Sequence, residues 1–243
     1  MSADKQPHIC LSPAQVSERV ILCGEPQRVN RIAALLDDGR LLAENREFRS
    51  MGGFYQGVPV TVCSAGIGAP SAIIALEELY QCGARRVIRV GSAGALQPQI
   101  ALGELILAEA AVRDDGGSAC YAPPGYPALA SRQLINAMAA YLQRRDCRFH
   151  SGIVRSHDSF YRDDELEICR HWHRLGVLGA DMETAALLTL GRLRGLEVAA
   201  VLNNVVLYGE DVQQGINQYV DADSAMMQGE KLASLAALEA LCY

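Results

Sequence analysis

One arginine set inside an apolar strand is the first residue of this chain that could do chemistry. In Val87-Ile-Arg-Val-Gly-Ser-Ala-Gly-Ala-Leu96 it is Arg89, and a glycine-rich turn is expected directly after Val90. Successive strand side chains point to opposite faces, so Arg89 leaves the sheet on one side while Gly91, Ser92 and Gly94 let backbone N–H groups approach a ligand. A guanidinium, a hydroxyl and bare amides suit a phosphate oxyanion. The competing reading is a solvated strand-end charge beside an ordinary turn. The same arrangement of strand, glycine and arginine recurs in Val20-Ile-Leu-Cys-Gly-Glu-Pro-Gln-Arg28, ahead of the helix-like Val29-Asn-Arg-Ile-Ala-Ala-Leu-Leu36. Another arginine, Arg46, lies in Glu44-Asn-Arg-Glu-Phe48, and Gly179-Ala-Asp-Met-Glu-Thr-Ala-Ala-Leu-Leu188 sets Asp181, Met182 and Glu183 at the start of an apolar helix. A helix dipole would favour the two acids there, but it does not account for the methionine between them.

The elements that must hold these residues alternate along the chain. Arg19–Cys23, Val58–Ser64, Arg86–Val90, Leu105–Val112, Phe149–Arg155 and Glu197–Val206 read as strands. Ser71–Cys82, Pro127–Arg145, Asp163–His173, Met182–Arg194 and the Ala- and Leu-rich Asp223–Cys242 read as helices, with Ser71 expected to cap the first of them. Strand then helix, repeated, predicts an α/β fold with a central sheet between helices, in a single domain over residues 1–243. Ligands of such sheets collect at the carboxyl ends of strands, where the turns after Cys23, Ser64 and Val90 fall. Arg113–Tyr126, rich in Gly, Pro and Asp, is a loop long enough to be functional.

Composition narrows the function classes. Half of the 243 residues are hydrophobic, ample for a buried sheet, and the formal net charge of −6 with scattered arginines argues against a nucleic-acid binder. Apolar runs break well before bilayer length and Met1–Pro7 lacks the apolar core of a signal peptide, so no membrane partner and a cytoplasmic setting are expected. Eight cysteines without CxxC spacing read as reduced core thiols. His171 and His173 flank Trp172 with no further ligand at metal spacing, which argues against zinc.

Taken together with Cys63-Ser-Ala-Gly-Ile-Gly-Ala-Pro-Ser71, Val112-Arg-Asp-Asp-Gly-Gly-Ser118 and Ser156-His-Asp-Ser-Phe-Tyr161, these segments resemble the nucleoside phosphorylase family, which includes uridine phosphorylase and the hexameric purine nucleoside phosphorylases. The resemblance runs from about His8 to the last helix and is nearer to the uridine branch. It implies a three-layer α/β/α sandwich around a mixed sheet. It also implies cleavage of a ribonucleoside by inorganic phosphate to free base and ribose 1-phosphate, without a required cofactor. On this resemblance Gly24, Arg28, Arg89 and Ser92 bind phosphate together with Arg46 of a neighbouring subunit, and Arg28, Arg89 and Glu183 carry the catalysis. Glu183 and Met182 hold the ribose, with His8 lent across an interface to the 5′-hydroxyl. Phe160 stacks on the base. Glu47, Ile67 and Ser71 match a potassium site between subunits, and the assembly implied is a homo-oligomer, a hexamer built as a trimer of dimers.

The resemblance weakens at the base. Where uridine phosphorylases carry a glutamine and an arginine to read uracil, this chain has Asp164 and Leu166, and the purine branch's acid falls on Val206. Arg162 could replace the missing arginine, Asp163 or Asp164 could act as an acid, the base could be another one, or Asp164 could simply face solvent. Two other classes stay open: a nucleosidase using water, and a nucleoside-binding protein without turnover. Water needs no cluster of arginines, which favours phosphate.

Overall fold

The computed structural model describes residues 5–209 and 224–243. Ten strands form one mixed sheet: β1 (Arg19–Cys23), β2 (Asp37–Asn45), β3 (Phe48–Tyr55), β4 (Val58–Ser64), β5 (Arg86–Ala95), β6 (Leu105–Asp114), β7 (Ala128–Leu129), β8 (Phe149–His157), β9 (Gly179–Asp181) and β10 (Glu197–Val206). Among the described residues the helices are α1 (Pro26–Ala33), α2 (Ala69–Gln81), α3 (Gly116–Ala119), α4 (Arg132–Arg144), α5 (Glu165–Arg174), α6 (Thr184–Leu193) and α7 (Ser224–Cys242). The expected start of the last helix, Asp223, and the first four residues lie outside the described residues.

Alternation along the strands builds a core on each side of the sheet. Val20, Leu22 and Val87 face one layer, where α2 and α6 contribute Ile73, Leu76, Leu79, Leu187 and Leu190. Ile21, Ile88 and Val90 face the other, filled by α1, α4 and α7 through Val29, Ile32, Leu134, Met138, Ala237 and Leu238. The result is the three-layer α/β/α sandwich.

β5 is the strand on which the arrangement turns. It runs parallel to β1 and β10, and its far end pairs antiparallel with β9 through Gly94 and Ala95. β10, β6, β8 and β9 pair in succession, so these strands and β5 close into a ring. The glycine-rich turn expected after Val90 is therefore not a turn. Leu202, Asn203 and Asn204 of β10 are in register with Gly91, Ser92 and Ala93, and the strand continues to Ala95. Gly91 has a packing reason: a Cβ there would lie 2.7 Å from Arg89 Cζ and 2.8 Å from Leu202 Cδ2.

The β2–β3 hairpin was not legible in the sequence. β2 is an exposed edge with few β-branched residues, and Arg46 makes its turn with φ of 54°. Ser71 does not cap α2. That helix begins at Ala69 behind Gly68, and the Ser71 hydroxyl donates to Glu47 instead. The 113–126 loop is knit by the Arg113 guanidinium, which donates to the carbonyls of Ser118, Ala122, Pro123 and Tyr126. Among the described residues no helix is long and apolar enough to cross a membrane.

α7 packs tightly at Gly229, where a Cβ would lie 2.2 Å from Asn203 Oδ1 and 2.4 Å from the Gly103 carbonyl oxygen. Gly229→Ala should destabilise the protein by about 1–3 kcal/mol through overpacking, measurable as a lowered midpoint in chemical unfolding.

Candidate active site

Ends of β1 and β5 and the starts of α1 and α6 converge on a cavity of about 860 Å³. At its floor Arg89 is 4% exposed. A bare guanidinium at that depth is untenable, and this one is neutralised: Nε donates to Asp181 Oδ2 at 3.0 Å and Nη2 to Glu183 Oε2 at 2.5 Å. Burial works against its charge, but the Glu183 and Asp181 carboxylates outweigh that and raise its pKa.

Arg28 reaches the same floor from α1. Its Nη2 donates to Ser92 Oγ at 2.8 Å, Nη1 to the Val90 carbonyl at 3.2 Å and Nε to Glu230 Oε2 at 2.8 Å. Glu230, on α7, also accepts from Arg31 Nε at 2.5 Å. Sequence reasoning missed Glu230, although the signal was there: a lone carboxylate on the helix face shared by Met226, Ala233 and Ala237.

The two acids before α6 do different work. Asp181 Oδ1 accepts from the Ser156 hydroxyl at 2.5 Å, and Oδ2 from Arg89 and from the Thr184 hydroxyl at 2.6 Å, with the Thr184 N–H at 3.1 Å. Its capacity is filled by the protein. Glu183 accepts from Arg89 on one oxygen and from the Gly68 N–H at 2.6 Å on the other, with the Met182 backbone also favouring its charge, which is fewer partners than Asp181 has and leaves acceptor capacity for a ligand hydroxyl. Burial pushes its carboxyl pKa up, with Arg89 opposing and Asp181 adding.

Gly24, Arg28, Arg89, Ser92, Met182, Glu183, Phe160 and Ile67 thus line one cavity. Other candidates do not. His8 Nδ1 sits 2.6 Å from Glu78 Oε1, and Arg46 is exposed at the β2–β3 turn; neither lines the cavity of its own chain. Glu47 Oε1 accepts from Ser71 Oγ at 2.8 Å, and Gly66, beside Ile67, packs on both side chains. Arg162 and Asp164 lie outside the cavity wall and bind each other, Nε to Oδ1 at 2.9 Å and Nη2 to Oδ2 at 2.8 Å. Asp164 precedes α5 and faces solvent, whereas Glu165, Leu166, Cys169 and Arg170 of the helix line the cavity, Leu166 and Arg170 at its exposed rim. Arg162 holds the Asp164 carboxyl below its ordinary pKa, so Asp164 is no proton donor near neutrality.

All eight cysteines are free thiols, and burial pushes Cys23 and Cys63 up to about 12. His173 stacks on Tyr208 at 4.6 Å and is a packing residue rather than a ligand.

A family model described as the phosphorylase superfamily matches residues 18–214. The chain belongs to this superfamily. A crystal structure of uridine phosphorylase from Vibrio fischeri ES114 is 58% identical, covers 100% of this chain and 99% of its own, and superposes with a TM-score of 0.94. Uridine phosphorylase of Thermococcus kodakarensis is 39% identical over 257 residues, covering 97% of this chain and 85% of the relative. Guanosine phosphorylase of Halorubrum lacusprofundi is 36% identical over 197 residues, 81% of each.

Within this superfamily member the raised pKa of Glu183 has a sign that can be checked. The carboxyl favours the folded state below the ordinary glutamate pKa and withdraws that contribution as pH climbs through its raised folded value. Glu183→Gln keeps an oxygen for Arg89 and never ionises. It should melt higher than the unaltered protein near neutral pH and lose that advantage towards about pH 4, as thermal unfolding across pH would record.

Proposed function

We infer that this protein is a nucleoside phosphorylase of the uridine type, a pentosyltransferase that converts a ribonucleoside and inorganic phosphate into free base and ribose 1-phosphate. The observation that carries the reading is the meeting of Arg28, Arg89 and Ser92 with Glu183 and Met182 in one cavity walled by Phe160. The likeness to the Vibrio fischeri and Thermococcus kodakarensis uridine phosphorylases supports it.

In this reading phosphate lies over Ser92 between the two guanidiniums, and one of its oxygens attacks C1′ of the ribose. Fixed cations neutralise the dianion and aim it without reorganising, which is worth most where water is excluded. Glu183 accepts the vicinal hydroxyls and Met182 packs beneath the sugar. As the C1′–N bond breaks, its electron pair goes to the base, and the Glu183 carboxylate favours the oxocarbenium-like sugar between the two. Val206 lines the cavity where the purine branch would place its acid, which favours a pyrimidine over a purine protonated at N7.

Arg46 and His8 complete the site of a neighbouring subunit; their absence from the cavity of their own chain supports that, and a hexamer arranged as a trimer of dimers supplies the neighbours. Glu47 and Ser71 with the Ile67 carbonyl offer hard oxygen ligands that would hold potassium at the same interface, fixing the Arg46 turn electrostatically. No organic cofactor is called for, since phosphate is the nucleophile. Free thiols throughout suit a cytoplasmic setting.

Uracil release from uridine should require phosphate. Arg28→Ala and Arg89→Ala should each lower kcat/KM by about 10²–10³-fold, read by the absorbance change on base release. Release at equal rate without phosphate would make the protein a nucleosidase. Arg46→Ala and Arg89→Ala subunits, each inactive alone, should recover about a quarter of full activity when co-expressed, because one site of each mixed pair is whole. No recovery would place Arg46 in its own subunit's site or outside the chemistry.

A further inference from the structure

His8 does not line the cavity of its own chain, yet it is held with unusual care. Glu78 is a buried residue of α2, 6% exposed, where a carboxylate is costly unless its lone pairs are filled. The segment ahead of β1 fills them. Oε2 accepts the Ile9 N–H at 2.9 Å and the His8 N–H at 3.1 Å, and Oε1 lies 2.6 Å from His8 Nδ1. Ile9 and Leu11, both fully buried, anchor the same segment in the core. On the β2–β3 hairpin the Asn45 amide donates to the His8 carbonyl at 2.8 Å, and Phe48 meets the imidazole edge-on with ring centroids 6.2 Å apart. Asn45 directly precedes Arg46, so one hydrogen bond ties together the two residues that are offered to a neighbouring site.

Anchoring the backbone needs only the two N–H bonds; the bond to the ring fixes the side chain as well. A carboxylate only accepts, so Nδ1 carries the hydrogen and Nε2 is the nitrogen left for a ligand. The His8 side chain is 39% exposed, and among the described residues Nε2 has no hydrogen-bond partner. We propose that Glu78 and Asn45 are positioning residues of the reaction: they hold His8 with Nε2 presented to the 5′-hydroxyl of a nucleoside in the neighbouring subunit's site. Because the imidazole is ordered before any ligand arrives, its hydrogen bond to the sugar carries little further cost in side-chain freedom. A ribose gripped by Glu183 at its vicinal hydroxyls and by His8 at its 5′ end is fixed at both ends, which keeps C1′ in line with the phosphate.

This rests on the nucleoside phosphorylase reading, and the test separates the two. Phosphate-dependent kcat and KM are measured for uridine and 5′-deoxyuridine with the unaltered protein, His8→Ala, Glu78→Gln, Asn45→Ala and the His8→Ala/Glu78→Gln double variant. The unaltered protein should favour uridine in kcat/KM by about tenfold, the worth of one hydrogen bond, and His8→Ala should bring the two substrates level. Glu78→Gln keeps an oxygen for the backbone N–H groups but loses the charge that holds Nδ1. It should lower kcat/KM on uridine about fivefold, leave 5′-deoxyuridine within about twofold, and add nothing in the His8→Ala background. Asn45→Ala should shrink the uridine preference about threefold with the KM for phosphate unchanged, and it decides the matter alone if Glu78→Gln does not fold. Equal loss on both substrates, or an unchanged preference, in a folded variant overturns the proposal. Equal use of uridine and 5′-deoxyuridine by the unaltered protein does so too, and in each case the phosphorylase reading stands. Absence of phosphate-dependent release from uridine by the unaltered protein overturns both.

Discussion

A guanidinium buried in the middle of a sheet must be neutralised where it stands, and that requirement organises this molecule. Arg89 sits in β5 opposite Leu22 of β1 and Ala200 of β10, with apolar strands on both sides. Its counter-charges come from the end of β9 and the residue before α6, so the short β9 has to pair with the end of β5 to bring Asp181 and Glu183 within reach. Gly91 keeps the space for the guanidinium group, and closure of the strands into a ring holds the acids at that level.

The counter-charges are not equivalent, and their difference separates scaffold from chemistry. Asp181 is saturated by Ser156, Thr184 and Arg89 and serves to fix the start of α6. Glu183, with fewer donors and a carboxyl strained by burial, is the group that a sugar hydroxyl would relieve. Glu230 repeats the logic beneath Arg28: a helix packed tightly enough to need Gly229 delivers one carboxylate to two arginines. Stability and ligand affinity are thus held in the same contacts, a pattern common where a cavity must be charged and dry at once.

Much of this was legible in the sequence because the apolar strands β1, β4, β5, β6, β8 and β10 are patterned, because Arg89 and Ser92 are polar side chains inside one of them, and because Met182 and Glu183 sit at a helix start. What escaped notice had no such periodicity. β2 carries Asp37, Asp38, Gly39 and Arg40 on an exposed edge, and β9 is three residues long. The Gly91–Gly94 stretch looked like a turn because glycine favours turns, yet pairing with β10 along its length, with β9 at Gly94, and the bulk of Arg89 decide its conformation. At the base end the matched positions divide: Phe160 and Leu166 line the wall, whereas Asp164 is spent on Arg162 outside it, a distinction that only the start of α5 reveals.

The most direct test of the account is a crystal structure of the protein with inorganic phosphate and a nucleoside that cannot be cleaved. The account predicts phosphate oxygens within hydrogen-bond distance of Arg28, Arg89 and Ser92, the ribose hydroxyls on Glu183, and an arginine from a neighbouring subunit closing the anion from outside. Phosphate bound elsewhere, or a sugar seated away from Glu183 while Arg89 stays sealed by its two acids, would contradict it.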